Sequence, residues 1–218
     1  MAMSPEIVGK IKDAGVIAVL VIDDKNQAIP VAHALLEGGI HIIELALRTP
    51  ASFDAVYEIK KHVPQMIIGL GTLIRREQVQ QGIDAGADFA VAPGCNPKII
   101  SEAHKRKLSF APGVMTPTDI EIAIDFGCSV MKFFPAESSG GIKHLESIAN
   151  PYQMMNLKFI PLGGCNPDNA TTYLQSKHVI AIGGSWIATR ALIHDKNWEG
   201  VTRNARHINE IITSINLP

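Results

Sequence analysis

Short apolar runs alternate with longer amphipathic stretches from one end of this chain to the other. The runs at 16–22, 40–47, 66–71, 88–92, 108–114, 129–135, 157–162 and 179–182 have strand length and read as eight buried strands. Between and after them, residues 27–37, 51–62, 76–85, 97–107, 117–126, 142–149, 168–175 and 198–212 repeat their apolar positions with helical period. Several helix-to-strand turns share one phrase, Gly38-Gly39-Ile40, Ala85-Gly86-Ala87 and Phe126-Gly127-Cys128, in which a glycine ends the helix with a positive φ. Strands alternating with helices make βαβ units and a parallel sheet. Eight such units in 218 residues predict an α/β fold, a single (β/α)8 TIM barrel whose parallel sheet is closed. An open dinucleotide-binding sheet would want GxGxxG after the first strand, where this chain has Val21-Ile22-Asp23-Asp24-Lys25-Asn26.

Composition narrows the partners. With 46% hydrophobic residues, 1–218 can bury one large core and is expected to be one domain. A net charge of -1 with scattered basic residues offers no footprint for nucleic acid or an anionic membrane, and no apolar run reaches spanning length. Without a charged start followed by an apolar segment, the chain is expected in the cytoplasm. Cys95, Cys128 and Cys165 form no CxxC pair, and the eight histidines show neither HxH nor HExxH spacing. Three free thiols, no metal and no cofactor are the expectation.

One lysine changes the picture. Lys132 lies in Ser129-Val130-Met131-Lys132-Phe133-Phe134-Pro135, otherwise a buried strand. An ammonium taken out of water finds an anion, gives up its proton, or threads its stem back to solvent. The second outcome makes an amine that attacks a ketone to form a Schiff base. In a barrel, chemistry sits at the C-terminal ends of the strands. The second predicted strand supplies Glu44 and Arg48, placed on one face by period two. The third ends in Gly71-Thr72, the fourth in Ala92-Pro93-Gly94, and the last two in Leu162-Gly163-Gly164 and Gly183-Gly184-Ser185. Glycine pairs after the last two strands suit a phosphate held by backbone N–H groups. The constellation describes a site for a phosphorylated 2-keto acid.

The segments Glu44-Leu45-Ala46-Leu47-Arg48-Thr49-Pro50, Gly71-Thr72, Lys132-Phe133-Phe134-Pro135-Ala136-Glu137 and Gly183-Gly184-Ser185-Trp186 closely resemble the bacterial 2-keto-3-deoxy-6-phosphogluconate aldolase family, many of whose members also act on 4-hydroxy-2-oxoglutarate. The resemblance covers nearly the whole chain. It implies a metal-free class I aldolase, usually a homotrimer, releasing pyruvate. It implies Lys132 as the Schiff-base lysine, Glu44 as the proton-transferring residue and Arg48 and Thr72 at the substrate carboxylate. Pro93 and Phe134 would line the site, and Gly163, Gly164 and Ser185 would bind the phosphate. The family usually reads Pro-Thr-Gly-Gly where this chain has Pro161-Leu162-Gly163-Gly164, which puts the choice of substrate in question. A 2-keto-3-deoxy-6-phosphogalactonate aldolase, a sugar-phosphate isomerase or epimerase using Lys132 only as a cation, and a non-catalytic phosphometabolite-binding barrel are the competing readings.

Overall fold

The computed structural model describes residues 3–215. Strands β1 (Val16–Leu20), β2 (Ile42–Ala46), β3 (Ile67–Gly71), β4 (Phe89–Val91), β5 (Ser109–Ala111), β6 (Gly113–Val114), β7 (Val130–Phe133), β8 (Lys158–Pro161) and β9 (Ile182–Gly184) are all paired parallel. The first helix, α1 (Pro5–Ala14), is one the periodicity did not single out. It is followed by α2 (Ala28–Glu37), α3 (Ser52–His62), α4 (Glu77–Asp84), α5 (Pro97–Lys105) and α6 (Pro117–Asp125). The remaining helices are α7 (Gly141–Ala149), α8 (Pro167–Leu174), the short α9 (Arg190–His194), also unforeseen, and α10 (Trp198–Ser214). All eight predicted helices form within two residues of their expected limits. The glycines of the three repeated turns behave as expected, with φ of 85° at Gly39, 89° at Gly86 and 71° at Gly127.

Hydrogen bonding departs from one continuous eight-stranded ladder. A six-stranded sheet runs β5-β4-β3-β2-β1-β9, and a three-stranded sheet runs β6-β7-β8. Pro112 makes the first seam. Lacking an N–H, it cannot donate to the ladder, so the predicted strand 108–114 divides into β5 and β6 on either side of it. The second seam lies between β8 and β9, where isolated bridges, Phe159–Val179 and Leu162–Gly183, replace a continuous ladder. There Gly163 and Gly164, with φ of 92° and 93°, turn the chain out of the extended conformation. The last predicted strand, 179–182, is also shifted. Ile180 donates its N–H to the Phe159 carbonyl, so this stretch leans on β8 until Ile182 bonds Gly15 and starts β9 beside β1.

Period two sorts the strand residues into two apolar layers. Val16, Ala18 and Leu20 of β1, Ile43 and Leu45 of β2, and Met131 and Phe133 of β7 pack outward against the helices. Ile17, Ile42, Phe89, Val130 and Ile160 pack together inward, and Ile7 and Ile11 of α1 join them. The unforeseen helix therefore covers the inner apolar layer. Ser4 caps it and also donates its backbone N–H to the Ser109 hydroxyl at the start of β5. Inner-layer positions are where a charged side chain is costly, and two are charged.

Candidate active site

Glu44 is on β2 opposite Gly69 of β3, and Lys132 is on β7 opposite Gly113 of β6 and Ile160 of β8. Both face inward because they sit two residues from apolar members of the inner layer, Ile42 and Val130. Lys132 Nζ donates to Glu44 Oε1 at 2.8 Å, with the side chains 6% and 2% exposed. Of the outcomes open to a buried lysine, this chain has taken an anion. The pair joins the two sheets from residues 88 positions apart in sequence. Removing either partner would strand a buried charge, a loss of about 3–5 kcal/mol.

The surroundings give that pair its room and its dryness. A Cβ built on Gly71 would lie 2.1 Å from Glu44 Oε1, so the glycine leaves the space that the carboxylate occupies. The Phe134 ring centroid is 5.2 Å from Lys132 Nζ, a cation–π distance, and the ring packs against the inner layer. Its neighbour Phe133 faces the opposite way, fully buried in the outer layer, which settles which of the two phenylalanines shields the amine.

Thr72 follows Gly71 directly and has φ of 63°. For a β-branched residue that conformation is strained by about 1–3 kcal/mol, and such strain persists where surrounding structure holds it in place. Arg48 corrects the face argument. β2 ends at Ala46, and the Arg48 N–H bonds back to the Ala46 carbonyl at 2.7 Å, so the chain has already turned and strand period no longer applies. The Arg48 side chain is exposed and makes no hydrogen bond or ion pair among the described residues. Pro93, half-buried after β4, packs its carbonyl where a Cβ on Gly113 would stand, at 2.4 Å. That contact lies at the Pro112 seam.

At the other seam, Gly163 accepts from the Glu137 N–H at 2.9 Å, and Gly164 accepts from the side-chain amides of Asn166 and Asn169 at 3.2 and 3.1 Å. The carbonyls are tied back, and the N–H groups of Gly164 and Cys165 donate no hydrogen bond among the described residues. Ser185 is exposed just beyond β9. Leu162, 4% exposed, belongs to the inner layer with Phe134, and its Cγ would be 2.3 Å from a Cβ on Gly183. Leu162 thus adds an apolar inner-layer side chain immediately before the glycine turn.

A model of the KDPG and KHG aldolase family matches residues 7–204. The chain belongs to this family. It is an aldolase, a carbon–carbon lyase. The KHG/KDPG aldolase of Escherichia coli (strain K12) is 36% identical over 191 residues, 88% of this chain and 89% of the relative. The 2-keto-3-deoxy-6-phosphogluconate aldolase of Zymomonas mobilis ZM4, solved with 3-phosphoglycerate, superposes with a TM-score of 0.86 at 33% identity, covering 94% of this chain and 95% of the other. The KDPG aldolase of Legionella pneumophila, solved with pyruvate captured as a covalent carbinolamine intermediate, superposes with a TM-score of 0.87 at 35% identity, covering 91% and 96%.

Several supporting residues escaped the sequence reading. Asn166 and Asn169 form a capping box at the start of α8, a signature visible as Asn-Pro-x-Asn, but nothing in that pattern says that the same amides grip Gly164. Gly71 was singled out only as the end of a strand and the neighbour of Thr72, with no sign that it makes room for Glu44. The three cysteines are free, and burial pushes their thiols up, Cys95 and Cys165 to about 12 and Cys128 to about 11. No cluster of three or more His, Cys, Asp or Glu side chains among the described residues is placed to hold a metal, and no described helix is long and apolar enough to cross a membrane.

Proposed function

We propose that this aldolase reversibly cleaves 2-keto-3-deoxy-6-phosphogluconate to pyruvate and glyceraldehyde 3-phosphate through an imine on Lys132, and that it also cleaves 4-hydroxy-2-oxoglutarate to pyruvate and glyoxylate. The observation that carries the reading is the buried 2.8 Å contact between Lys132 and Glu44. An ammonium cannot attack a carbonyl, and a carboxylate at hydrogen-bond distance can take its proton. The freed amine adds to the C2 ketone and gives a carbinolamine. Loss of water, with a proton returned from Glu44, leaves the iminium. Glu44 then accepts the C4 hydroxyl proton, the C3–C4 bond breaks, and its electron pair flows into the iminium to form an enamine. The aldehyde departs. Protonation at C3 and hydrolysis release pyruvate and restore the amine.

Other residues take supporting roles in this reading. The exposed, unpaired fork of Arg48 and the strained Thr72 receive the substrate carboxylate, with Pro93 and Phe134 as walls. The N–H groups of the Gly163–Gly164 turn, with the Ser185 hydroxyl, receive the phosphate. The Zymomonas relative solved with a phosphorylated three-carbon acid and the Legionella relative with its carbinolamine support both halves of the assignment. The two sheets act as one (β/α)8 barrel with the seams at its mouth, residues 1–218 act as one catalytic domain, and the protein works as a cytoplasmic homotrimer, for which family membership is the support. Light scattering reading three chain masses tests the last point, and a monomer refutes it.

Borohydride reduction in the presence of pyruvate should attach a pyruvoyl-derived mass to the Lys132 peptide. A label elsewhere, or none, sinks the mechanism. Lys132→Arg should abolish turnover, since a guanidinium forms no imine, whereas a purely electrostatic isomerase would retain part of its rate.

A further inference from the structure

Glu137 stands beside the glycine turn with the wrong charge for its proposed ligand. It follows β7 and is tied to the turn through its backbone, its N–H bonding the Gly163 carbonyl at 2.9 Å while the Ala136 N–H bonds the Leu162 carbonyl at 2.7 Å. Its methylenes lie 2.5 and 2.6 Å from where a Cβ on Gly164 would be. A carboxylate on that short stem, turned toward the glycines, would compete with a phosphate for the N–H groups of the turn. Something else holds it. The Tyr173 hydroxyl, on α8 and 1% exposed, donates to Glu137 Oε1. Burial, then the Glu137 carboxylate, pushes the phenol up, so the hydroxyl remains a donor throughout the working pH range.

We propose that Tyr173 is a positioning residue that holds the Glu137 carboxylate off the Gly163–Gly164 turn and so keeps the site open to the phosphate of the substrate. The inference rests on the phosphate reading of that turn given above. It explains why an acidic residue is built against an anion site, and it assigns a function to a buried phenol that the carbon–carbon chemistry does not use. Tyr173 does not touch the reacting atoms. Its effect is expected on phosphate affinity alone.

Steady-state kinetics on 2-keto-3-deoxy-6-phosphogluconate and on unphosphorylated 4-hydroxy-2-oxoglutarate separate the possibilities. Tyr173→Phe keeps the ring and its packing. It should raise KM for the phosphorylated substrate about tenfold, by loss of a charge-assisted hydrogen bond and gain of a like-charge competitor, with kcat nearly unchanged. KM for the unphosphorylated substrate should stay put. Adding Glu137→Gln to Tyr173→Phe removes the competing charge and should restore most of the lost affinity. A KM rise shared by both substrates, no rise, or a rise that the second substitution fails to reverse would overturn the proposal. Inorganic phosphate, tested as a competitive inhibitor of the unsubstituted protein, guards the premise. If it does not compete, the phosphate reading of the turn has failed and this inference falls with it; if it competes and Tyr173→Phe is silent, only the inference has failed.

Discussion

Gly71→Ala is expected to disable the reaction without touching a catalytic side chain. Gly71 is not among the positive-φ glycines, so the substitution adds no backbone strain, and its whole effect comes from one methyl group. That methyl would lie 2.1 Å from Glu44 Oε1, 2.8 Å from Cδ and 2.9 Å from Cγ. Relief of roughly 1 Å is needed to reach ordinary contact, and a displacement of about that size costs on the order of 100-fold when it misplaces a reacting group. Glu44 has no solvent to retreat into at 2% exposure, so its 2.8 Å bond to Lys132 must lengthen or break. Overpacking an interior costs about 1–3 kcal/mol, which for a chain of this size corresponds to roughly 4–8 °C in Tm at the middle of the range. The assay is kcat/KM for aldol cleavage beside a thermal melt. Gly69→Ala is the control. Its methyl would meet the Phe89 ring first, at 2.2 Å, crowding the same inner layer two residues earlier, so it should lower Tm and spare turnover at low temperature. Turnover of Gly71→Ala within about threefold of the parent, or an equal loss in Gly69→Ala, would refute the view that room beside Glu44 sets the geometry.

Thr72→Gly should hold or raise stability by up to about 1 kcal/mol, because glycine adopts φ of 63° freely, while KM for substrates rises; a clear loss of stability in urea melts would show that the strain is not where the backbone puts it. Leu162→Thr should move the kcat/KM ratio toward the polyhydroxy phosphorylated substrate by about tenfold relative to 4-hydroxy-2-oxoglutarate, and an unchanged ratio removes Leu162 from specificity. Hydrogen bonding from Arg190 holds the Asp23 carboxyl below its ordinary 3.8. A carboxyl lowered on folding contributes stability above its unfolded value and loses it as pH falls through the folded one, so Asp23→Asn should flatten the stability curve below about pH 4; parallel acid-unfolding curves would contradict this. Iodoacetamide at about pH 8 should modify the three raised thiols slowly and leave turnover intact, and fast loss of activity during mass-spectrometric labelling would count against their burial.

The order of elements was legible because it rests on local rules. Helix limits followed apolar period and glycine turns, and the sorting of strand residues into inner and outer layers followed period two. What failed was decided at points where the chain stops being periodic. Pro112 split a strand that hydropathy reads as continuous, because hydropathy does not count N–H donors. Arg48 lay two residues past the last position at which strand alternation applies. The helix α1 stayed hidden because its apolar face is brief, with Ile7 and Ile11 its buried residues, and its value appears only against the inner layer that it covers.

The sequence by itself pointed to the reaction class, through two misplaced charges and through segments that resemble an aldolase family, with an isomerase and a binding barrel still open beside it. A lysine in an apolar strand and a glutamate in another are exceptions to the burial rule, and exceptions of that kind are visible without coordinates. Only the tertiary structure decided which anion the lysine meets, which phenylalanine shields it, and that Glu137 and Tyr173 stand behind the glycine turn. Those facts depend on contacts between residues tens of positions apart, such as the 88 separating Glu44 from Lys132, and no local pattern encodes a distance across a fold.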